Sequence, residues 1–305
     1  MNSNFPLKVS PAVAQALAAH KPVLALESTV ITHGLPYPQN FAILTALEAI
    51  ADQHHVVPAT ICVLDGECLI GMQSSDIENL KSKILQGEEL QKLAWRDLPL
   101  AIVRKASGGT TVSATMALAH KAGIKVFATG GIGGVHRAWQ KTLDISLDIK
   151  SLAEIPLIVV CAGCKAILDI GATLEALETA NVPVYGWQCQ DFPSFYSRNS
   201  GYKIPEISKL SEIAEVYRLM SENAEQAPAL LIANPIPEAD EILYSDIEPH
   251  IRQALKDAQA LSGKAVTPYL LDKLAQSTAG KSVTANLALL KNNVRLGALI
   301  AGERL

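Results

Sequence analysis

Lys165 stands in the run CAGCKAILDIG, directly behind Cys161 and Cys164 and at the end of the apolar stretch LIVVCAG. Three chemistries share that run: a dithiol, a metal site and an amine nucleophile. A redox Cys-x-x-Cys needs its first thiol exposed at a helix N-terminus, whereas Cys161 sits inside an apolar run and faces the core. Zinc needs further ligands, and no second Cys-x-x-Cys or nearby histidine pair occurs. Both cysteines therefore read as buried small hydrophobes. Lys165 differs. An ammonium just past an apolar strand is partly desolvated, which favours the neutral, nucleophilic amine. A first-turn helical lysine pointing to solvent is the alternative, although a cation there opposes the helix dipole.

Other runs offer partners. Glu27 ends the strand-like VLALE and suits a general acid or base; it could equally cap a turn. In ATGGIGGVHR, glycine exposes backbone N–H groups that could cradle a phosphate, with Thr129 and His136 adding hydrogen bonds; a tight strand-to-helix turn is the other reading. His136 stands where a dinucleotide fingerprint needs its third glycine. Asp144, Ser146 and Asp148 alternate in TLDISLDIKSL, so an extended segment would turn them to one side, toward a ligand or hard divalent cation. Solvated loop aspartates would look the same. Gly108-Gly109 and Thr110-Thr111 precede a helical pattern in KASGGTTVSATM, either an anion site or ordinary capping. Lys92 and Arg96 lie just upstream, and Ser282, Thr284 and Asn286 sit on or before a late helix.

The elements that must position these residues alternate along the chain. Apolar runs at 23–28, 59–66, 125–131, 157–163, 183–188 and 229–235 read as strands covered on both faces. Helical patterns at 38–54, 74–86, 110–122, 165–180 and 206–224 separate them. This predicts an α/β fold: a three-layer α/β/α unit with a largely parallel (mixed) sheet and a helical C-terminal segment over 238–303. Ligands in such sheets bind beyond the carboxyl ends of the strands, where Glu27, Thr129 and Lys165 all fall. Ser10 and Pro11 read as the N-cap and first residue of an opening helix, not a signal peptide. A single domain over 1–305 is expected.

Composition narrows the function classes. Hydrophobic residues make up 49% of the 305, enough for a sizeable core. Aromatics at 5% and a net charge of -4 argue against base stacking and against general nucleic-acid binding. No apolar stretch approaches the roughly 18 residues of a membrane span. Five cysteines, an odd count, suit a reducing cytosol.

Taken together, LALESTVITHGLPYPQN, GGTTVSATM, VFATGGIGGVHR, DISLDI, VVCAGCKAILDIGATLE, PVYGWQ, DFPSFYSRNSG, NPIPE and GKSVTANLALLKNN resemble the pseudouridine-5'-phosphate glycosidase family, which includes the indigoidine synthase A-like proteins. They follow family order over roughly residues 23–295. The resemblance implies reversible cleavage of the carbon–carbon glycosidic bond of pseudouridine 5'-phosphate to uracil and ribose 5-phosphate, in a cytoplasmic homotrimer using a divalent metal, typically manganese. It implies Lys165 as nucleophile through an iminium, Glu27 as proton donor and Asp144 as metal ligand. Lys92, Val112, Thr129, His136, Ser146, Leu147, Asp148 and Asn286 would line the substrate site. Partners are the small-molecule substrate and products, with no nucleic acid or membrane. A related enzyme acting on another C-nucleotide or sugar phosphate is the alternative. Departures from the family pattern fall at Ala94-Trp95, Leu147, Cys164 and Cys189-Gln190.

Overall fold

A computed structural model describes residues 5–224, 226–258 and 266–305. The chain folds as two compact units: one runs to Ala128 and is completed by Gly297–Leu305, the other is Thr129–Leu296.

In the first unit β1 (Leu7–Val9) leads into α1 (Pro11–Ala18), β2 (Val23–Leu26), α2 (Gln39–Gln53), β3 (Val57–Leu64) and β4 (Glu67–Ile70). Then come α3 (Ser74–Leu85), β5 (Gln91–Leu93), α4 (Leu98–Val103), β6 (Gly108–Thr110), α5 (Val112–Lys121) and β7 (Val126–Ala128). Ser10 caps α1, its hydroxyl accepting from Val13 N at 3.4 Å, with Pro11 opening the helix as expected. The strands run β1-β4-β3-β2-β7, with β6 joined to β3 and β5 to β6. Only the β3–β4 and β3–β6 pairs are antiparallel. β2 and β7 are buried at every residue, the signature of strands covered on both faces. The hairpin from β3 to β4 is set by Asp65-Gly66, both at positive φ, a type I′ pair that twists with its strands.

The second unit opens with the extended run after β7, then α6 (Trp139–Thr142), α7 (Leu147–Glu154), β8 (Ile158–Cys161), α8 (Ile170–Thr179), β9 (Val184–Trp187) and β10 (Glu206–Ile207). α9 (Leu210–Asn223), β11 (Leu230–Ala233), α10 (Tyr244–Asp257), α11 (Val266–Ser277) and α12 (Lys281–Ala301) complete it. Its strands lie in the order β8-β11-β9-β10, all parallel. After β11 the described residues are helical apart from short connections, as the apolar pattern requires.

The fold class is therefore α/β, mixed and mostly parallel. All six expected strands form, five of them trimmed and β3 shifted two residues toward the N-terminus from the expected 59–66. The expected helix over 165–180 begins only at Ile170, because Asp169 is its N-cap, accepting from Ala172 N at 3.0 Å. Among the described residues no helix is long and apolar enough to cross a membrane.

Candidate active site

In the first unit Glu27 is the residue immediately beyond β2 and is half-buried. Ser28 and Thr29 then lead into a single π-type turn, Val30–Gly34. A buried hydroxyl network fixes this segment. The Thr110 hydroxyl donates to Ile61 O at 2.7 Å, so at 3.3 Å it can only accept from Ser28, whose oxygen in turn accepts from Thr110 N at 3.0 Å. Thr115 also donates to the Thr110 oxygen, and Thr29 to the Thr110 carbonyl. Gly109 allows this approach: a Cβ there would lie 2.1 Å from Thr32 Oγ1. The Gly108-Gly109-Thr110 run is thus strand β6, packed against protein and not opened as an anion loop. Thr111 precedes α5 without a side-chain cap bond.

Lys92, half-buried on β5, lies in register with Gly109. His33 ties the Glu27 segment to the approach of that strand. Its Nε2 donates to Leu90 O at 3.1 Å, and Nδ1 accepts from the Thr32 hydroxyl at 2.7 Å. Burial, aided by the Lys92 charge, pulls the His33 pKa below its ordinary value and so favours the neutral ring, and the Leu90 carbonyl, which can only accept, sets the tautomer. Val112 opens α5 and is fully buried.

In the second unit the run from Thr129 to His136 is extended, not a strand-to-helix turn. On one side it pairs with 162–169 through Ala162 N to Gly130 O (2.9 Å), Ile132 N to Gly163 O (3.1 Å), Lys165 N to Ile132 O (3.1 Å) and Asp169 N to Val135 O (2.9 Å). On the other it pairs with 144–146, through His136 N to Asp144 O (3.0 Å) and Ser146 N to Gly134 O (2.9 Å). Lys165, His136, Asp144 and Ser146 thereby sit on three adjoining strips of backbone. Lys165 is half-buried and outside any helix, which removes the first-turn helical alternative. Gly163, at φ +80 and with Pro193 O only 2.0 Å from where a Cβ would lie, lets the chain turn into this position.

Several amides of the glycine run are already taken up within the protein. Gly133 N donates to Asp148 Oδ2 at 2.8 Å and Val135 N to Thr173 Oγ1 at 3.0 Å; Thr129, Ile132 and His136 donate to carbonyls. A Cβ on Gly133 would fall 2.3 Å from Ser146 Oγ and 2.7 Å from Asp148 Oδ2. Gly133 therefore admits the Ser146 and Asp148 side chains. The Asp144–Ser146–Asp148 alternation is also broken. Ser146 is the N-cap of α7, accepting from Asp148 N at 3.2 Å, so the extended geometry ends there and Asp148 turns inward, buried. Leu147, half-buried, opens the same helix.

Asp144 lies 3.9 Å from His136 Nε2 and keeps 42% of its side chain exposed. Among the described residues no group of three or more His, Cys, Asp and Glu could hold a metal ion. Asp144 thus offers one carboxylate, a donor set suited to a hard divalent cation that retains most of its waters. Asn286 is half-buried on α12, about two turns before Asn293 on the same face. Buried Asn293 donates to Thr129 O at 2.8 Å and accepts from Asn234 Nδ2 at 3.0 Å, pinning the start of the glycine run. Cys161 and Cys164 are free and wholly buried, and burial pushes both thiols up to about 12.

Sequence reasoning passed over His33, Arg137, Thr173 and Asn293. Arg137 stood beside His136 in a quoted run, but its partner Glu248 is 111 residues away.

The family described as indigoidine synthase A like protein matches residues 12–303. A pseudouridine-5'-phosphate glycosidase of Nocardioides sp. is 48% identical, covering 97% of this chain and 96% of its own. The Mesorhizobium japonicum protein of the same name is 49% identical over 95% and 94%. Among solved structures, an indigoidine synthase A (IdgA)-like protein from Thermotoga maritima superposes with a TM-score of 0.88 at 34% identity, covering 97% of this chain and 95% of that one. The prealnumycin C-glycosynthase AlnA, in complex with ribulose 5-phosphate, gives 0.89 at 32%, covering 98% and 97%. With near-complete coverage in sequence and in backbone, this chain belongs to the indigoidine synthase A-like family.

Proposed function

We propose that the protein is a C-glycosidase that reversibly cleaves pseudouridine 5'-phosphate to uracil and ribose 5-phosphate. The names of its relatives support this reading, as does the sugar phosphate in the AlnA complex. The observation that carries it is local: a half-buried lysine outside any helix, on a strip beside His136 and Asp144.

Uracil is attached through carbon, so protonating a heteroatom leaving group cannot cut the bond. The Lys165 amine attacks C1′ as the C1′–O4′ bond breaks and O4′ takes a proton. Its lone pair then forms the C=N bond while C1′–C5 breaks, and C5 of uracil is protonated. Water adds to the iminium, releasing ribose 5-phosphate and the free amine. Glu27 supplies and later removes protons. Lys92 meets the phosphate, and His136 and Asn286 position the sugar and base, remote contacts that orient the reacting carbon. A divalent ion, manganese by family resemblance, would be held by Asp144; when bound it organises water and stabilises negative charge near the base. The working assembly is a homotrimer in the cytoplasm.

A second reading keeps the imine chemistry but changes the substrate to another C-nucleotide or sugar phosphate, favoured by the name of AlnA and by Leu147 at the head of α7. Uracil release from pseudouridine 5'-phosphate, set against the unphosphorylated nucleoside, decides between them. The proposal expects the phosphorylated substrate to be preferred by at least roughly 100-fold in kcat/KM. Equal rates, or no release from either, would remove it.

A further inference from the structure

The Lys165 turn carries an unusual requirement. Residues 162–169 lie between β8 and α8 without helical hydrogen bonding, so their carbonyls need donors from elsewhere. Lys165 itself is fixed by its N–H on Ile132 O and by its carbonyl, which accepts from Leu168 N at 2.9 Å. The next carbonyls are met by one side chain. Arg137 Nη2 donates to Ala166 O at 3.2 Å and Nε to Leu168 O at 3.3 Å. The guanidinium's other edge forms a two-pronged pair with Glu248 on α10, at 2.7 and 2.9 Å.

We propose that Arg137 is a positioning residue for Lys165, its guanidinium braced by Glu248 and gripping the two carbonyls that hold the nucleophile's turn in its non-helical shape. The inference rests on the reading of Lys165 as nucleophile. The geometry needs arginine. A planar fork can meet a carboxylate on one edge and carbonyls on the other, whereas a lysine ammonium is a single point on a flexible stem. Glu248 keeps only 10% of its side chain exposed and also accepts from Arg252 at 2.8 Å. Burial works against its charge, but the two arginines outweigh that and hold its carboxyl below the ordinary range, so the brace stays ionised. Arg137 follows His136, whose N–H is on Asp144 O; one backbone step therefore joins the nucleophile's turn to the His136–Asp144 pair.

The test compares Arg137→Lys, Arg137→Ala and Glu248→Gln with wild type. It reads kcat, KM, the rate at which borohydride traps an adduct with ribose 5-phosphate, and the thermal midpoint. A shift of about 1 Å at a reacting atom costs on the order of 100-fold, so Arg137→Lys should lower kcat and trapping rate roughly 10- to 100-fold with KM within about threefold. Added guanidinium should restore part of the Arg137→Ala rate, and methylammonium should not. Glu248→Gln, which leaves Arg137 in place, should fall between. Wild-type kcat in Arg137→Lys, or losses that track the unfolded fraction and ignore guanidinium, overturn the positioning role. If Arg137 variants do not fold, Glu248→Gln decides alone: an unchanged trapping rate rejects the brace. Wild-type labelling away from Lys165 defeats the nucleophile assignment and this inference with it; labelling at Lys165 with unaffected variants defeats only the inference.

Discussion

At the residue scale the chemistry divides by environment. Lys165 and Glu27 are half-buried, each just past an apolar strand, whereas the two thiols flanking Lys165's approach are fully enclosed. With Cys161 and Cys164 at about 12, the thiolate fraction at pH 8 is about 10⁻⁴, so iodoacetamide should leave both unlabelled in the native enzyme and activity intact. Rapid inactivation with label on either one would contradict this. The same burial has a stability consequence with a definite sign. The folded thiols ionise later than the unfolded ones, so their contribution is complete below about pH 9 and is lost as pH rises toward about 12. Glu27→Gln removes a proton carrier without changing shape; uracil release should fall roughly 10²- to 10⁴-fold with the thermal midpoint nearly unchanged. Near-wild-type turnover in that variant would remove Glu27 from catalysis. The roles proposed for Glu27 and Lys165 come from the family resemblance, while their strand-end positions were legible in the sequence. Arg137 was not, because its meaning depends on Glu248, which only the fold brings to it.

At the element scale the outcome depends on period and on caps. Continuous apolar runs located β2, β3, β7, β8, β9 and β11, most of them buried along their length, but passed over β4, the short return arm of the β3 hairpin. Short strands β1, β5, β6 and β10 carry two or three residues each and leave no such pattern. The glycine run shows how one residue type serves two ends. Glycine serves equally to open amides to a ligand or to admit a packed side chain, and here Asp148 takes the Gly133 amide and Thr173 the Val135 amide. That packing gives a prediction. Gly133→Ala places a methyl against Ser146 and Asp148 and should destabilise by about 1–3 kcal/mol, read as a lower urea midpoint, with a loss of turnover larger than the unfolded fraction explains. A variant with unchanged midpoint and activity would mean the run yields freely. Asp144's strip ends at the Ser146 cap, which is why alternate spacing did not survive as a shared face.

At the scale of the whole molecule, the proposed chemistry names residues far apart in the chain, Glu27, Lys92 and Val112 in its first part and the remaining site residues from Thr129 onward. Catalysis should therefore fail when either contribution is cut. Replacing Lys92 by methionine removes a cation while keeping the stem, and should raise KM for the phosphorylated substrate at least roughly tenfold but leave the poor rate on the nucleoside unchanged. Equal effects on both substrates would separate Lys92 from the phosphate. Metal dependence is read by chelation: turnover should fall and return with manganese, and Asp144→Asn should weaken manganese binding measured directly by electron paramagnetic resonance. Unchanged manganese affinity in that variant would place the ion elsewhere. The most direct test of the central claim is borohydride quenching during turnover of pseudouridine 5'-phosphate, followed by peptide mapping. The account predicts a reduced five-carbon sugar phosphate on the peptide that contains Lys165 and on no other. Label on a different lysine, or none while uracil is still released, would contradict it.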